Sequence, residues 1–464
     1  MKRQYPWICV AATLLVVMAG AYRSTFAACA EPEWRVGLAR VCISPDEPVW
    51  LYGYAGKDRF KPFEAVLDDV FATALAIQSG NAEPAVLITA DLCVLRKPEA
   101  EALCVAIMEK TGLARRQILL NWSHTHSGPM LGSSDMNRYP IESADLEATK
   151  AYTEQLWRKL AGLAADALAA LEPARLSWGV GEIGFVTNRR RPDSEGNYQG
   201  MGPNPDGLAD RSVPVLRVDS PDGRLRALVF GTACHPVTLG GGSNKLSADF
   251  PGYARRYIEK ELPGATTLFV QGCGADANPQ PRATADQEEV VCKQGDQLGA
   301  EVCRVASGEL QPIRGPLRVA FAMVDLPLEP APAGAELGQR VKGPFWQSHN
   351  AKRIIEAQSR GESIPAHYSA PLAMWRFGDD LTLVAISGEV VSDYAFLSAE
   401  ALGAERVWVA GYCNEVFGYL PSARIVREGG YETLGLVSVY VGQFSAEAEQ
   451  VLLAAVRAMR QAVR

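Results

Sequence analysis

Apolar positions along this chain recur in two rhythms. Short continuous runs bounded by turn residues read as strands buried on both faces, and longer stretches with three-and-four spacing read as amphipathic helices. Ala85–Ala90 ends at Asp91, Gln117-Ile118-Leu119-Leu120 leads into Asn121-Trp122-Ser123-His124, and Ala227 to Ala233 ends at Cys234-His235-Pro236. Leu268-Phe269-Val270 runs into Gln271-Gly272-Cys273-Gly274-Ala275-Asp276, Leu381 to Ile386 into Ser387-Gly388-Glu389, and Val407-Trp408-Val409 into Gly411-Tyr412-Cys413-Asn414. Pro98 to Lys110 predicts a helix stopped near Gly112. Ser143 is placed to cap a helix running to about Leu171, with Leu156, Leu160, Leu163 and Ala167 on one face. A last helix, capped at Ser445, runs to Arg464. Strands alternating with helices predict an α/β protein. The stretch from about 331 to 371, which holds His349 and His367, has no clear strand and reads as a lid or insertion.

The strand ends share a feature. Asp91, His124, His126, His235, Asp276 and Glu389 each follow an apolar run, in company with Gly, Pro or Asn. In α/β sheets, ligands bind beyond the carboxyl ends of strands, so these side chains are expected to meet over one crevice. His124 and His126 stand at i and i+2, which turns both imidazoles the same way along extended chain. Two of only five histidines lie in that tripeptide, and imidazole is the commonest metal-binding side chain. A strand-end histidine bonded to a neighbouring carbonyl is the alternative reading of the motif alone.

Composition narrows the setting. Lys2 and Arg3 precede an apolar run from Trp7 to Ala21, and Ala28-Cys29-Ala30 offers a cleavage site, so residues 1–30 read as a secretory signal peptide. The run is shorter than the roughly 20 residues a spanning helix needs. Phe26 argues against a lipoprotein anchor at Cys29. The remaining roughly 430 residues are ample for a large core, and export to the periplasm or medium is expected. A net charge of −7 without a basic cluster argues against a nucleic-acid partner. Of ten cysteines, those from Cys42 to Cys413 are scattered without a C-x-x-C pair. Cys292 and Cys303, if on one helix, stand about 16 Å apart along it, beyond disulfide reach.

His124, His235 and Glu389 form a two-His, one-Glu set, a hydrolytic zinc complement that leaves room for water. Several longer matches accompany it: His124-Thr125-His126-Ser127-Gly128-Pro129, Asn188-Arg189, His235-Pro236, Asp249 with Gly252-Tyr253-Ala254, Gly388-Glu389, Asn414 followed by Tyr419 and Tyr431-Glu432, and Gly53-Tyr54-Ala55. On these residues the chain resembles the neutral/alkaline, non-lysosomal ceramidases over Trp34 to Arg464, the span of their catalytic domain. The resemblance implies mixed β-sheets flanked by helices over residues 31–464. It implies one Zn2+ per chain held by His124, His235, Glu389 and Tyr419, although Leu420-Pro421-Ser422 departs from the family's flank after that tyrosine. The family's longer members add a C-terminal immunoglobulin-like domain, and none is expected here after the Ser445–Arg464 helix.

One departure bears on mechanism. The family places a serine where this chain reads Asn278, in Asp276-Ala277-Asn278-Pro279. An amide cannot replace a hydroxyl as nucleophile, so a hydrolase of this sequence is expected to use zinc-activated water. Tyr431 would then hold the developing oxyanion, His126 would shuttle the proton, and Arg189 and Asn278 would orient the substrate. The implied substrate is ceramide or another lipid-like N-acyl amide, with peripheral membrane contact compatible with it. Three alternatives remain open: another amide or ester, a two-metal phosphoesterase built on Asp91, His124, His126, Asp276 and His235, and an exported zinc-containing binding protein without catalysis.

Overall fold

Strands buried on both faces need two layers to cover them, and the fold supplies both. The structure is a computed structural model that describes residues 34–54, 59–132, 140–343, 345–403, 406–433 and 442–463. The chain divides into Met1–Glu31 and Pro32–Arg464, and all that follows concerns the second unit. The expected signal peptide, Cys29 and the side chain of His349 lie outside the described residues.

A nine-stranded mixed sheet runs in the order Thr266–Gln271, Leu225–Thr232, Ser212–Asp219, Glu172–Glu182, Trp34–Cys42, Phe71–Ser79, Ala85–Ala90, Ile118–Trp122, with Gln311–Ile313 also paired to Glu172–Glu182. The outermost pairs, Leu225–Thr232 with Thr266–Gln271 and Ala85–Ala90 with Ile118–Trp122, are parallel, and the inner pairs are antiparallel. A second sheet runs Leu317–Pro327, His367–Phe377, Leu381–Ile386, Val407–Ala410, with its last pair parallel.

The two sheets face each other. Leu87, Leu119, Val229 and Leu268 of the first share a core with Trp375, Leu383 and Trp408 of the second. Alternate residues of the same strands point the other way. Ile88, Ile118, Leu120 and Trp122 pack under the helices Lys97–Thr111 and Ser143–Ala169. Phe230 and Phe269 pack under Phe250–Glu261 and Gln287–Ala306, and Val384 and Ile386 under Glu447–Ala462. The result is helices, sheet, sheet and helices in four layers. No helix among the described residues is long and apolar enough to cross a membrane.

Helix ends differ slightly from the sequence expectation. Gly112 does close the first helix in a left-handed conformation, φ 74°, with its N–H on Met108 O. Ser143 is the first helical residue rather than the cap, and the helix stops at Ala169. The last helix begins at Glu447, where Ser445 accepts the Ala448 N–H through its carbonyl rather than capping with its hydroxyl. The 331–371 stretch contains helices Gly334–Val341 and Phe345–Ser359 and the start of the His367–Phe377 strand. Cys292 and Cys303 share the Gln287–Ala306 helix, and the cysteines from Cys42 to Cys413 are free thiols.

Gly37 lets the Ser143–Ala169 helix settle on the Trp34–Cys42 strand. A Cβ there would stand 1.9 Å from Ala167 O and 2.9 Å from Ala170 C, and backbone cannot yield cheaply. Gly37→Ala is expected to destabilise the fold by about 1–3 kcal/mol, read as a lowered denaturant midpoint with an unchanged slope.

Candidate metal centre

Each ligand-type side chain of the site sits just past the carboxyl end of a strand. His124 follows Ile118–Trp122, His235 follows Leu225–Thr232, and Glu389 follows Leu381–Ile386. Their backbones are held by neighbouring segments: His124 N donates to Leu92 O at 2.9 Å, His235 N to Ala277 O at 3.0 Å, and Glu389 N to Gly418 O at 2.7 Å. His124 is forced into left-handed backbone, φ 65°, which aims its ring inward. Gly388, φ 87°, precedes Glu389 with no room for a side chain, since a Cβ would lie 2.5 Å from the Phe417 ring.

The imidazoles are oriented by their outer nitrogens. His124 Nδ1 lies 2.7 Å from Cys93 O, and His235 Nδ1 lies 2.7 Å from Gly274 O. Carbonyls accept only, so each Nδ1 carries the proton and each Nε2 turns its lone pair into the site, the arrangement metal-binding histidines use. His124 Nε2 is 3.3 Å and His235 Nε2 3.4 Å from Glu389 Oε2. These donor atoms lie within 4.8 Å of one another.

His235 Nε2 and Glu389 Oε2 are buried without a hydrogen bond. Leaving such groups unsatisfied costs about 1–3 kcal/mol each, and a cation shared between them satisfies both. Charge agrees with geometry. Burial disfavours the Glu389 carboxylate, yet the facing His124 and His235 rings hold its carboxyl well below the usual range. Burial also works against a charged His124, but Cys93 and Glu389 outweigh it and lift the ring to about 10. Burial and Arg189 push His235 down to about 4. In the ion-free cluster His124 thus faces the Glu389 carboxylate as an imidazolium; a cation would displace its Nε2 proton, and two imidazoles with one carboxylate suit zinc. Cys93 Sγ, His124 and His126 form a second close group. Its sulfur approaches His124 on the Nδ1 side, 3.7 Å away, where the nitrogen already serves Cys93 O. The His124–His235–Glu389 set is the better donor set.

His126 Nε2 lies 3.2 Å from His124 Nε2, and its Nδ1 is buried without a partner. Burial and the two neighbouring imidazoles push His126 well below the usual histidine range. Its ring stands edge-on to Tyr54 at 4.9 Å; its carbonyl accepts from the buried Arg59 guanidinium, which also donates to Ser243 O.

Tyr419 is brought beside Glu389 by the parallel pairing of Glu389–Val390 with Tyr419–Leu420. Its hydroxyl accepts from Arg189 Nη2 at 3.1 Å, and Tyr431 packs against its ring at 5.4 Å. Arg189 is also fixed by Glu432 at 3.0 Å, and Glu432 in turn is gripped by Arg190. Asn278 lies one residue past the carbonyl that holds His235, with its Oδ1 buried and unpartnered.

Other candidates go elsewhere. Asp91 pairs with Arg255 on the Phe250–Glu261 helix, Nη1 to Oδ1 at 2.7 Å. Asp276 accepts from the Ser392 N–H at 2.7 Å and from Asn188 Nδ2 at 3.1 Å. The five-residue set of a two-metal site is therefore not assembled, because two of its carboxylates are neutralised or hydrogen-bonded in place. His367 is exposed at the start of its strand, away from this cluster. Sequence reasoning missed two contributors: the Tyr412 ring, 4.5 Å from that of His124, and the Cys93 carbonyl. Only the glycine beside Tyr412 hinted at its tight turn.

Fold and site together define an α/β protein with a candidate metal centre at the meeting of two sheets. No protein-family model matches the chain. Neutral ceramidase B of Dictyostelium discoideum is 24% identical over 233 residues, 48% of this chain and 32% of that protein. The chain thus aligns with about a third of that curated relative's length. A solved structure described as ceramidase complexed with C2 superposes with a TM-score of 0.68 at 18% identity, covering 93% of this chain and 76% of the other. A crystal structure of neutral ceramidase from Pseudomonas aeruginosa gives 0.67, again at 18%, covering 93% and 75%. The chain has the fold of the neutral ceramidases and resembles them in sequence.

Replacing Glu389 or His235 by Ala is expected to weaken zinc binding by at least the 10- to 100-fold typical of losing an outer-shell partner. His126→Ala is expected to retain the ion. Metal analysis after dialysis, together with competition against a chromogenic chelator, reads both outcomes.

Proposed function

We infer that this protein is an exported zinc-dependent amidohydrolase that cleaves the N-acyl amide of ceramide or a related N-acyl lipid. The observation that carries this reading is the convergence of His124 Nε2, His235 Nε2 and Glu389 Oε2 at strand ends in a neutral ceramidase fold. Those three side chains would hold one zinc per chain, with the Tyr419 hydroxyl as a fourth donor. When bound, zinc supplies Lewis acidity and a water whose pKa falls from about 15.7 to about 7–9.

The chain's own residues do the rest. His126 is kept neutral by burial beside two other imidazoles, so it meets the substrate in its basic form, holds a proton only transiently and passes it to the leaving amine. Burial holds the Tyr431 phenol protonated, ready to donate a hydrogen bond to the oxyanion. Arg189 fixes the Tyr419 hydroxyl and leans over both tyrosine rings at 5.5 Å. Asn278 Oδ1 accepts a hydrogen bond from the substrate. With an amide at position 278, the attacking group is water. Residues 1–30 address the chain for export, and lipid substrate is met at a membrane surface by peripheral contact.

The same Asn278 supports a second reading, a zinc-containing lipid-binding protein without turnover. Fluorogenic N-acyl substrates, ceramides included, separate the two. Release of fatty acid that a chelator abolishes and added zinc restores is the expected result; zinc-loaded protein that cleaves none of them sinks the hydrolase. In the active enzyme, Tyr431→Phe should lower kcat by about 10²–10³-fold with little change in KM. His126→Ala should lower it by about 10²–10⁴-fold.

A further inference from the structure

A second cavity, of about 360 Å3, opens between the Lys97–Thr111 helix, the Leu317–Pro327 strand and the segment after Tyr412. None of its lining residues belongs to the metal centre. Its walls are apolar, with Val105, Met108, Phe321 and Met323 facing in. Val105 and Met323 are each 45% exposed, so the apolar wall is open to a ligand entering from solvent.

The lining also carries polar groups, Arg115 and Asn414 among them. Asn414 is 1% exposed. Its Oδ1 accepts from Arg115 Nη2 at 3.0 Å, which settles the orientation of the amide. Nδ2 is left buried without a hydrogen bond. A buried donor of this kind calls for an acceptor. Arg115 adds positive charge; it also donates to Ile118 O at 2.8 Å and lies 4.1 Å over the Phe321 ring. Two carboxyls line the cavity: Glu101 is exposed to solvent, and Glu415 is buried and accepts from the Tyr368 hydroxyl at 2.8 Å. Burial pushes it up to about 7, so near neutrality it is half protonated and its repulsion of an anion is reduced. Pockets of 300–1,000 Å3 with apolar walls and a few convergent polar groups are the usual form of small-molecule sites.

We propose that this cavity binds an alkyl monocarboxylate, with its head group on Asn414 Nδ2 beside Arg115 and its chain along Val105, Met108, Phe321 and Met323. The site does not depend on the hydrolase reading. Purified protein is titrated with decanoate in a calorimeter. The expected result is saturable binding of one decanoate per chain, at least tenfold weaker in Asn414→Ala and in Met323→Glu, with decylamine at least tenfold weaker than decanoate. Met323 is half exposed, so its variant folds even where Asn414→Ala does not. Decanoate binding that survives Glu389→Gln separates this cavity from the metal centre. The proposal is overturned by absence of saturation, by decylamine binding as tightly as decanoate, by an unchanged affinity in Met323→Glu, or by loss of binding in Glu389→Gln.

Discussion

One buried amide ties together the strand ends from which the site is built. Asn121 Nδ2 donates to Gly411 O at 2.8 Å and reaches Gln271 O at 3.3 Å, while its Oδ1 accepts from Gln271 N at 2.8 Å. Asn121 closes one edge strand of the nine-stranded sheet and Gln271 the other, so this side chain draws the two edges toward each other. Gly411 follows the last strand of the second sheet and is brought into the same knot. Three residues beyond Asn121 stands His124, and one beyond Gly411 stands Tyr412, whose ring lies against it. Both ends of the amide are used, so a buried polar side chain that would otherwise be costly becomes a specific clamp.

Around that clamp the backbone is held in conformations that side chains ordinarily avoid. His124, Tyr412, Asn414 and Asp249 all have positive φ without being glycine, at a cost of about 1–3 kcal/mol each. Each is fixed by neighbours: His124 through Leu92, Asn414 through Leu120, Tyr412 through Gly388. The Asp249 carboxylate caps its own helix and also receives the Thr238 and Leu239 amides. Strain gathered at one crevice and offset by burial elsewhere is how a rigid fold aims reactive groups at a point. The left-handed turn at Asn414 also turns its amide toward the second cavity, so one short segment bears on both.

Much of this was legible in the residues, for a physical reason. Strands covered on both faces lose the polar alternation of half-exposed ones, so Ala85–Ala90, Leu381–Ile386 and Leu268–Val270 within Thr266–Gln271 stand out as apolar runs. Leu317–Pro327 and Glu172–Glu182 carry partly exposed faces, with Arg318, Glu172 and Glu182 among them, and their apolar signal is diluted. The ligand types at strand ends could be read as well, because the turn residues beside them are plain. Their partners could not. Nothing near Asp91 announces Arg255, 164 residues away, and strand order alone decides whether a carboxylate meets a histidine or a guanidinium. Asn278 is the opposite case: its residue type is visible without coordinates, and an amide cannot serve as a nucleophile.

The donors of the candidate metal centre follow strands of both sheets, His124 and His235 those of the larger and Glu389 one of the smaller. An ion bound among them would act as a further rivet between layers already joined by their shared apolar core and by the Asn121 amide. By mass action, a ligand present at a hundred times its dissociation constant adds about 2.7 kcal/mol to folding. Scarcity of that ion in the surroundings would then loosen the whole sandwich and shorten the lifetime of the chain, as well as silencing one crevice.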